Sequence, residues 1–202
     1  MINARSLMFL FDAMGVPPDL QTFDFHKCPA LTALPTTLAK CGALVTLRLK
    51  RCSALRELPV LASLVRLQTL SASYCTMLSC LPPSLACCAS LTMLDLTGCS
   101  ALERLPSLAA LPLLAELLLA GCRALVALPD DLGASADTAS DAAASEVPLP
   151  KMASLASKLP SMASASGGAA LRSIILRDCA LLHSLPATLG LCARLEELDC
   201  SD

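Results

Sequence analysis

The sequence predicts a solenoid of stacked strand-and-coil units, and three observations predict it. An LxxLxL run, with other apolar residues in some of its places, starts at Leu20, Leu44, Leu67, Leu91, Leu114, Leu171 and Leu195, with steps of 24, 23, 24, 23, 57 and 24 residues. A cysteine occupies the ninth place of six of these units, and a leucine–proline step follows each cysteine. The composition agrees, because 202 residues that are 55% hydrophobic but hold no tryptophan and one tyrosine must build their core from small and aliphatic side chains. Many thin layers suit such side chains better than one thick centre.

Each element of the unit follows from a column of the alignment. Position four reads Phe23, Leu47, Leu70, Leu94, Leu117, Ile174 and Leu198, and position six reads Phe25, Leu49, Ala72, Leu96, Leu119, Leu176 and Cys200. Apolar residues two apart at positions four and six predict a short strand with one face inward. Position nine is Cys28, Cys52, Cys75, Cys99, Cys122 and Cys179, and position twelve is leucine from Leu31 to Leu182. The prolines Pro35, Pro59, Pro82, Pro106, Pro129 and Pro186 bar a regular α-helix through the step, so the chain turns back in an extended or 3₁₀-like path. Another leucine follows each proline after three residues or after two, the shorter spacing marking the 23-residue units. One coil alone buries too few side chains to fold, whereas stacked strands about 4.8 Å apart share hydrogen bonds and leucine columns.

The pattern LxxLxLxxCxxLxxLPxxL resembles the leucine-rich repeat family, and within it the cysteine and LP step look most like the repeats of plant intracellular immune receptors. The resemblance implies an α/β solenoid, a right-handed horseshoe with short parallel strands on its concave face and irregular, 3₁₀ or short helical segments on the convex side. It implies a non-catalytic module that binds a protein partner through the concave face. Two alternatives come with it: the ligand-sensing part of an intracellular immune receptor, and the substrate-recognition part of an F-box-type ubiquitin-ligase adaptor. The repeats of those adaptors share two cysteine columns but lack the LP step.

The repeat domain is expected over 20–202, with a flank or cap over 1–19 and an insertion over 133–170 that is mostly Ala, Ser, Gly and Asp. The insertion delays the sixth unit by 33 residues and reads as a mobile spacer on the side or convex surface. The echoes of a repeat tail in LPKMASL (149–155) and LPSMASA (159–165) suggest that part of it packs. The last unit ends in mid-repeat at Asp202, as expected of a piece of a longer protein or of a chain completed by a partner. The apolar run 108–129 is interrupted by Pro112, Glu116 and Arg123 and falls in the repeat register, so it reads as solenoid core and not as a membrane span. Leu7 to Phe11 lack a following cleavage site, and the expected setting is the reducing cytoplasm, or the nucleus.

A formal net charge of −2 gives no general pull toward nucleic acid or anionic membrane, and neither is expected as a partner. The twelve cysteines form no CxxC pair, so no zinc or other metal site is expected. Neighbours in the position-nine ladder fall within disulfide reach. The resemblance instead implies structural thiols turned inward to hydrogen-bond the backbone. Cys41, Cys88 and Cys192 share a column with Leu64 and Leu111, which reads as a demand for apolar volume. His183 stands in a column of mixed polar residues, His26 on the outward face, and neither has a plausible third group, so no catalytic site and no cofactor are expected.

Positions three, five, seven and eight are expected to face the partner. The early units supply His26, Lys27, Arg48, Lys50 and Arg51; the middle ones Tyr74, Met93 and Asp95; the later ones Leu118, Ile175 and Arg177. This gradient from basic to apolar suits an extended partner with an acidic end and a hydrophobic end, although Leu118 and Ile175 are also placed to meet the insertion.

Overall fold

A computed structural model of the chain describes residues 15–134 and 170–201. The expected cap over 1–19 lies outside these up to residue 14, and the expected insertion lies outside them from 135 to 169.

Seven strands of three residues each form one parallel sheet in chain order: β1 (Thr22–Asp24), β2 (Thr46–Arg48), β3 (Thr69–Ser71), β4 (Met93–Asp95), β5 (Glu116–Leu118), β6 (Ser173–Ile175) and β7 (Glu197–Asp199). Each strand covers positions three to five of its unit, and the register pairs like with like, Leu47 with Leu70 and Leu117 with Ile174. The 57-residue step leaves this register intact, because Glu116 pairs with Ser173. The fold is a leucine-rich-repeat solenoid.

The ladder runs beyond the strands. The position-six N–H donates to the position-five carbonyl of the next coil, as from Leu49 to Ser71 at 2.7 Å, and the position-eight N–H donates to the position-seven carbonyl, as from Arg51 to Ser73 at 2.8 Å. At position eight the backbone is left-handed in every described unit that reaches it. Gly98 and Gly121 have φ of 73° and 74°, while Lys27, Arg51, Tyr74 and Asp178 hold 55–61°. This residue therefore leaves the extended path and turns the chain toward the coil, so position eight is a turn and not a fourth outward strand position. For the four side-chain-bearing residues the geometry costs about 1–2 kcal/mol each, offset by the ladder bond that the turn preserves.

The proline spacing sets the opposite side. Where leucine follows proline by three residues, one 3₁₀ turn closes: η1 (Thr36–Lys40), η2 (Pro83–Cys87) and η3 (Ala187–Leu191) begin after Pro35, Pro82 and Pro186, whose backbones are extended. The Leu38 N–H donates to the Pro35 carbonyl at 3.1 Å and that of Leu85 to Pro82 at 3.0 Å. The units with Leu61 and Leu108 have one residue fewer and lack the turn from the proline, keeping a hydrogen-bonded turn from the leucine itself, Leu64 N–H to the Leu61 carbonyl at 2.9 Å and Leu111 N–H to that of Leu108 at 3.1 Å. A 3₁₀ hydrogen bond spans three residues, so the lost residue removes the one that would start at the proline.

The core is a single continuous column of leucines and cysteines, with Phe23 and Phe25 packed at 4.8 Å between ring centres in the first coil. Leu47, Leu70, Leu94 and Leu117 at strand centres are wholly buried, whereas Leu198 in β7, flanked by one strand, is 42% exposed.

Candidate interaction face

Side chains at positions three and five point away from the core because the central residue of each strand points into it. They make one face across the seven strands, and its chemistry changes along the solenoid.

At the first two coils His26, Lys27, Arg48, Lys50 and Arg51 are all exposed. Arg48 approaches Asp24 at 3.8 Å, and both are about half exposed, so this pair contributes little to stability. The Arg51 guanidinium lies 5.5 Å from the centre of the Tyr74 ring, a cation–π contact between adjacent position-eight turns. Tyr74 in turn lies across Gly98, where a Cβ would come within 2.7 Å of the ring. Gly98 thus meets two demands, a left-handed φ and room for an aromatic ring. Nothing in the Gly98 column alone shows the second.

The middle of the face is tied into itself. Ser71 Oγ donates to Asp95 Oδ2 at 2.8 Å, and the Thr97 N–H donates to Oδ1 at 3.0 Å. Ser73 lies within 3.4 Å of the Ser71 hydroxyl and is buried, so it offers nothing to a partner, although position seven is outward elsewhere. Met93 and Asp95 are half-buried.

Across β5, β6 and β7 the face holds an open groove of about 590 Å³. Leu118 and Ile175 are register partners, half-buried, and form its apolar floor. Glu116, Ser173 and Glu197 line it, with Arg172, Glu196 and Arg177. Arg172 pairs with Glu196 at 3.6 Å, Arg177 pairs with Asp199, and Ser173 Oγ donates to Glu197 at 2.8 Å. The Arg177 hydrogen bond, helped by Ser201, holds the Asp199 carboxyl down to about 2. Reading outward positions from the sequence finds Leu118, Ile175 and Arg177 but misses Arg172 and Glu196, which stand at position two, just before the strand.

The position-nine thiols lie beneath this face. Cys75 Sγ donates to the Leu49 carbonyl at 3.1 Å, Cys99 to Ala72 at 3.2 Å, Cys122 to Leu96 and Cys179 to Leu119 at 3.3 Å each, and Cys52 to Phe25 at 3.7 Å. Each acceptor is the position-six carbonyl of the preceding coil. That carbonyl also takes the N–H of its own coil's cysteine, as Ala72 does from Cys75 at 3.1 Å, so both of its lone pairs are used where the chain leaves the sheet. Cys28 differs: its thiol bonds the His26 carbonyl of its own coil at 3.7 Å and is half exposed, because no described strand precedes β1. All twelve cysteines are free.

Burial, the largest cause in each case, pushes the thiols of Cys52 and Cys88 up to about 11 and those of Cys75 and Cys122 up to about 12; Cys99 is raised further still. A thiol so raised holds almost no thiolate at neutral pH and is a poor nucleophile. The second cysteine column also hydrogen-bonds. Cys41 Sγ donates to the Pro17 carbonyl at 3.5 Å and Cys88 to that of Leu61 at 3.8 Å, so these residues do more than fill the apolar volume that their leucine equivalents suggest. His183 is exposed, with Nδ1 at 3.0 Å from the Leu181 carbonyl, and His26 is exposed on the sheet face.

No family model and no curated protein matches the chain. Among solved structures it is similar to the leucine-rich repeat domain of the type III effector XopL, with 21% sequence identity and a TM-score of 0.51 over 94% of this chain. The match covers 62% of that chain. At this identity the likeness concerns architecture, and it agrees with the parallel ladder described above.

Proposed function

We propose that the solenoid is a non-catalytic protein-interaction module that holds an extended partner on its concave face. The observation that carries this reading is the division of labour between the two sides of the strands: the thiols are spent on backbone carbonyls, while the outward columns present exposed cations at one end, of which Lys27 and Lys50 have no ion pair among the described residues, and an apolar groove at the other. His26, Lys27, Lys50 and Arg51 are assigned the acidic end of the partner, with Arg48 and Tyr74 beside them. Met93 and Asp95 bridge to Leu118, Ile175 and Arg177, which are assigned its hydrophobic end.

The cysteine at position nine together with the LP step supports the narrower reading that these repeats are of the plant immune-receptor type, with a ligand-sensing role. A reducing compartment is part of the proposal, because exposed Cys80, Cys87 and Cys200 stand free beside the buried thiols. Among the described residues no helix is long and apolar enough to cross a membrane.

Affinity capture from lysate with the wild type, Arg48→Glu/Lys50→Glu and Leu118→Asp tests the reading. All three positions substituted are at least partly exposed, so the variants are expected to fold, which circular dichroism checks. The same partner is expected to be lost or weakened by each variant. Retention of every captured protein by both variants would overturn the assignment of the face.

A further inference from the structure

We infer that the groove across β5–β7 takes a lysine or arginine side chain of the partner, its aliphatic stem on Leu118 and Ile175 and its charged head at Glu116. This rests on the concave-face reading and replaces a simply hydrophobic end with a cation on an apolar stem.

The pairing around the groove leads to it. Arg172 is engaged by Glu196, Arg177 by Asp199, and Glu197 accepts from Ser173. The carboxylate of Glu116, half-buried at the rim, has no hydrogen-bond or ionic partner among the described residues, its backbone N–H being taken by the Thr92 carbonyl. Charge favours the same occupant. Three carboxylates, Glu116, Glu196 and Glu197, and two guanidiniums, Arg172 and Arg177, line the groove, a balance of 2 − 3 = −1, and Asp95 and Asp199 stand beside its floor as register neighbours of Leu118 and Ile175.

Reach fits as well. Glu116 and Leu118 are two residues apart on β5 and on the same face, a separation of about 6.6 Å along the strand, which a Lys or Arg stem spans. A purely aliphatic side chain in the groove would desolvate Glu116 without giving it a partner, and an anionic one would meet the carboxylate surplus. A cation with a methylene stem satisfies both the floor and the rim.

The test selects random linear 12-residue peptides displayed on phage against the full chain, then measures the selected peptides by fluorescence anisotropy. Enrichment of Lys or Arg beside an aliphatic residue is expected. Glu116→Gln is expected to weaken such a peptide about two- to fivefold, the range of one partly exposed ion pair. Replacing the peptide's cation by norleucine should weaken it similarly, and the two changes together should cost no more than one. Selection of no peptide, absence of a cationic preference, or independent addition of the two effects would overturn the inference. Loss of binding by Leu118→Asp with Glu116→Gln silent would overturn the inference alone. Full binding by both Leu118→Asp and Arg48→Glu/Lys50→Glu would overturn the concave-face reading with it.

Discussion

Raising the pH should destabilise this protein through its thiols. In the unfolded chain a thiol ionises near its ordinary value of 9.0, whereas burial holds Cys52 and Cys88 at about 11 and Cys75 and Cys122 at about 12, with Cys99 higher. The folded state therefore keeps protons that the unfolded state has lost. The stabilisation is fully present below pH 9 and is lost as pH rises toward the folded values. At pH 10 an unfolded thiol is about nine-tenths ionised, which withdraws about 1.4 kcal/mol for a fully enclosed group. Solvent reaching the less enclosed sulfurs lowers this to about 1 kcal/mol each, so the five together remove about 3–5 kcal/mol between pH 8 and 10. That is a large share of a typical folding free energy of about 5–15 kcal/mol. Urea unfolding followed by circular dichroism at several pH values in a phosphine reductant measures it, and Cys75→Val/Cys122→Val should flatten the profile by about two protons. A profile that is level from pH 8 to 10, or a variant as steep as the wild type, would refute the assignment of these thiols as buried proton holders.

Two further outcomes follow from the same geometry. Thiol labelling of the native protein should be fast at Cys80, Cys87 and Cys200, slower at Cys28 and very slow at the eight buried cysteines, with all twelve reacting after denaturation; prompt labelling of Cys99 would contradict the ladder. Gly98→Ala should cost about 1–2 kcal/mol for its left-handed φ and displace the Tyr74 ring, which a Cβ would meet at 2.7 Å. Tyr74 is the one tyrosine and there is no tryptophan, so intrinsic emission reports that displacement directly, and unchanged stability with unchanged emission would contradict it.

The columns that carry packing were legible in the sequence because each repeats a single physical demand. Leu47, Leu70, Leu94 and Leu117 occupy one kind of site, and the one-residue difference after Pro59 and Pro106 marks where the turn from the proline is absent. The turn at position eight was hardly legible: Lys27, Arg51 and Tyr74 have no preference for positive φ, and only Gly98, Gly121 and, more weakly, Asp178 hint at it. The groove was half legible. Alternation exposes Leu118 and Ile175, but the pairings of Arg172 with Glu196 and Arg177 with Asp199 arise between coils, from which end of each side chain meets its neighbour. Those contacts decide that Glu116 is the carboxylate left over.

The central claim is that a protein partner lies on the sheet face. A photoreactive benzoylphenylalanine placed at position 50 or 118, on that face, and at Val60 or Leu181, both exposed and outside the strands, tests it against the captured partner. Adducts are predicted from positions 50 and 118 and not from 60 and 181; equal or stronger adducts from 60 and 181 would contradict the account.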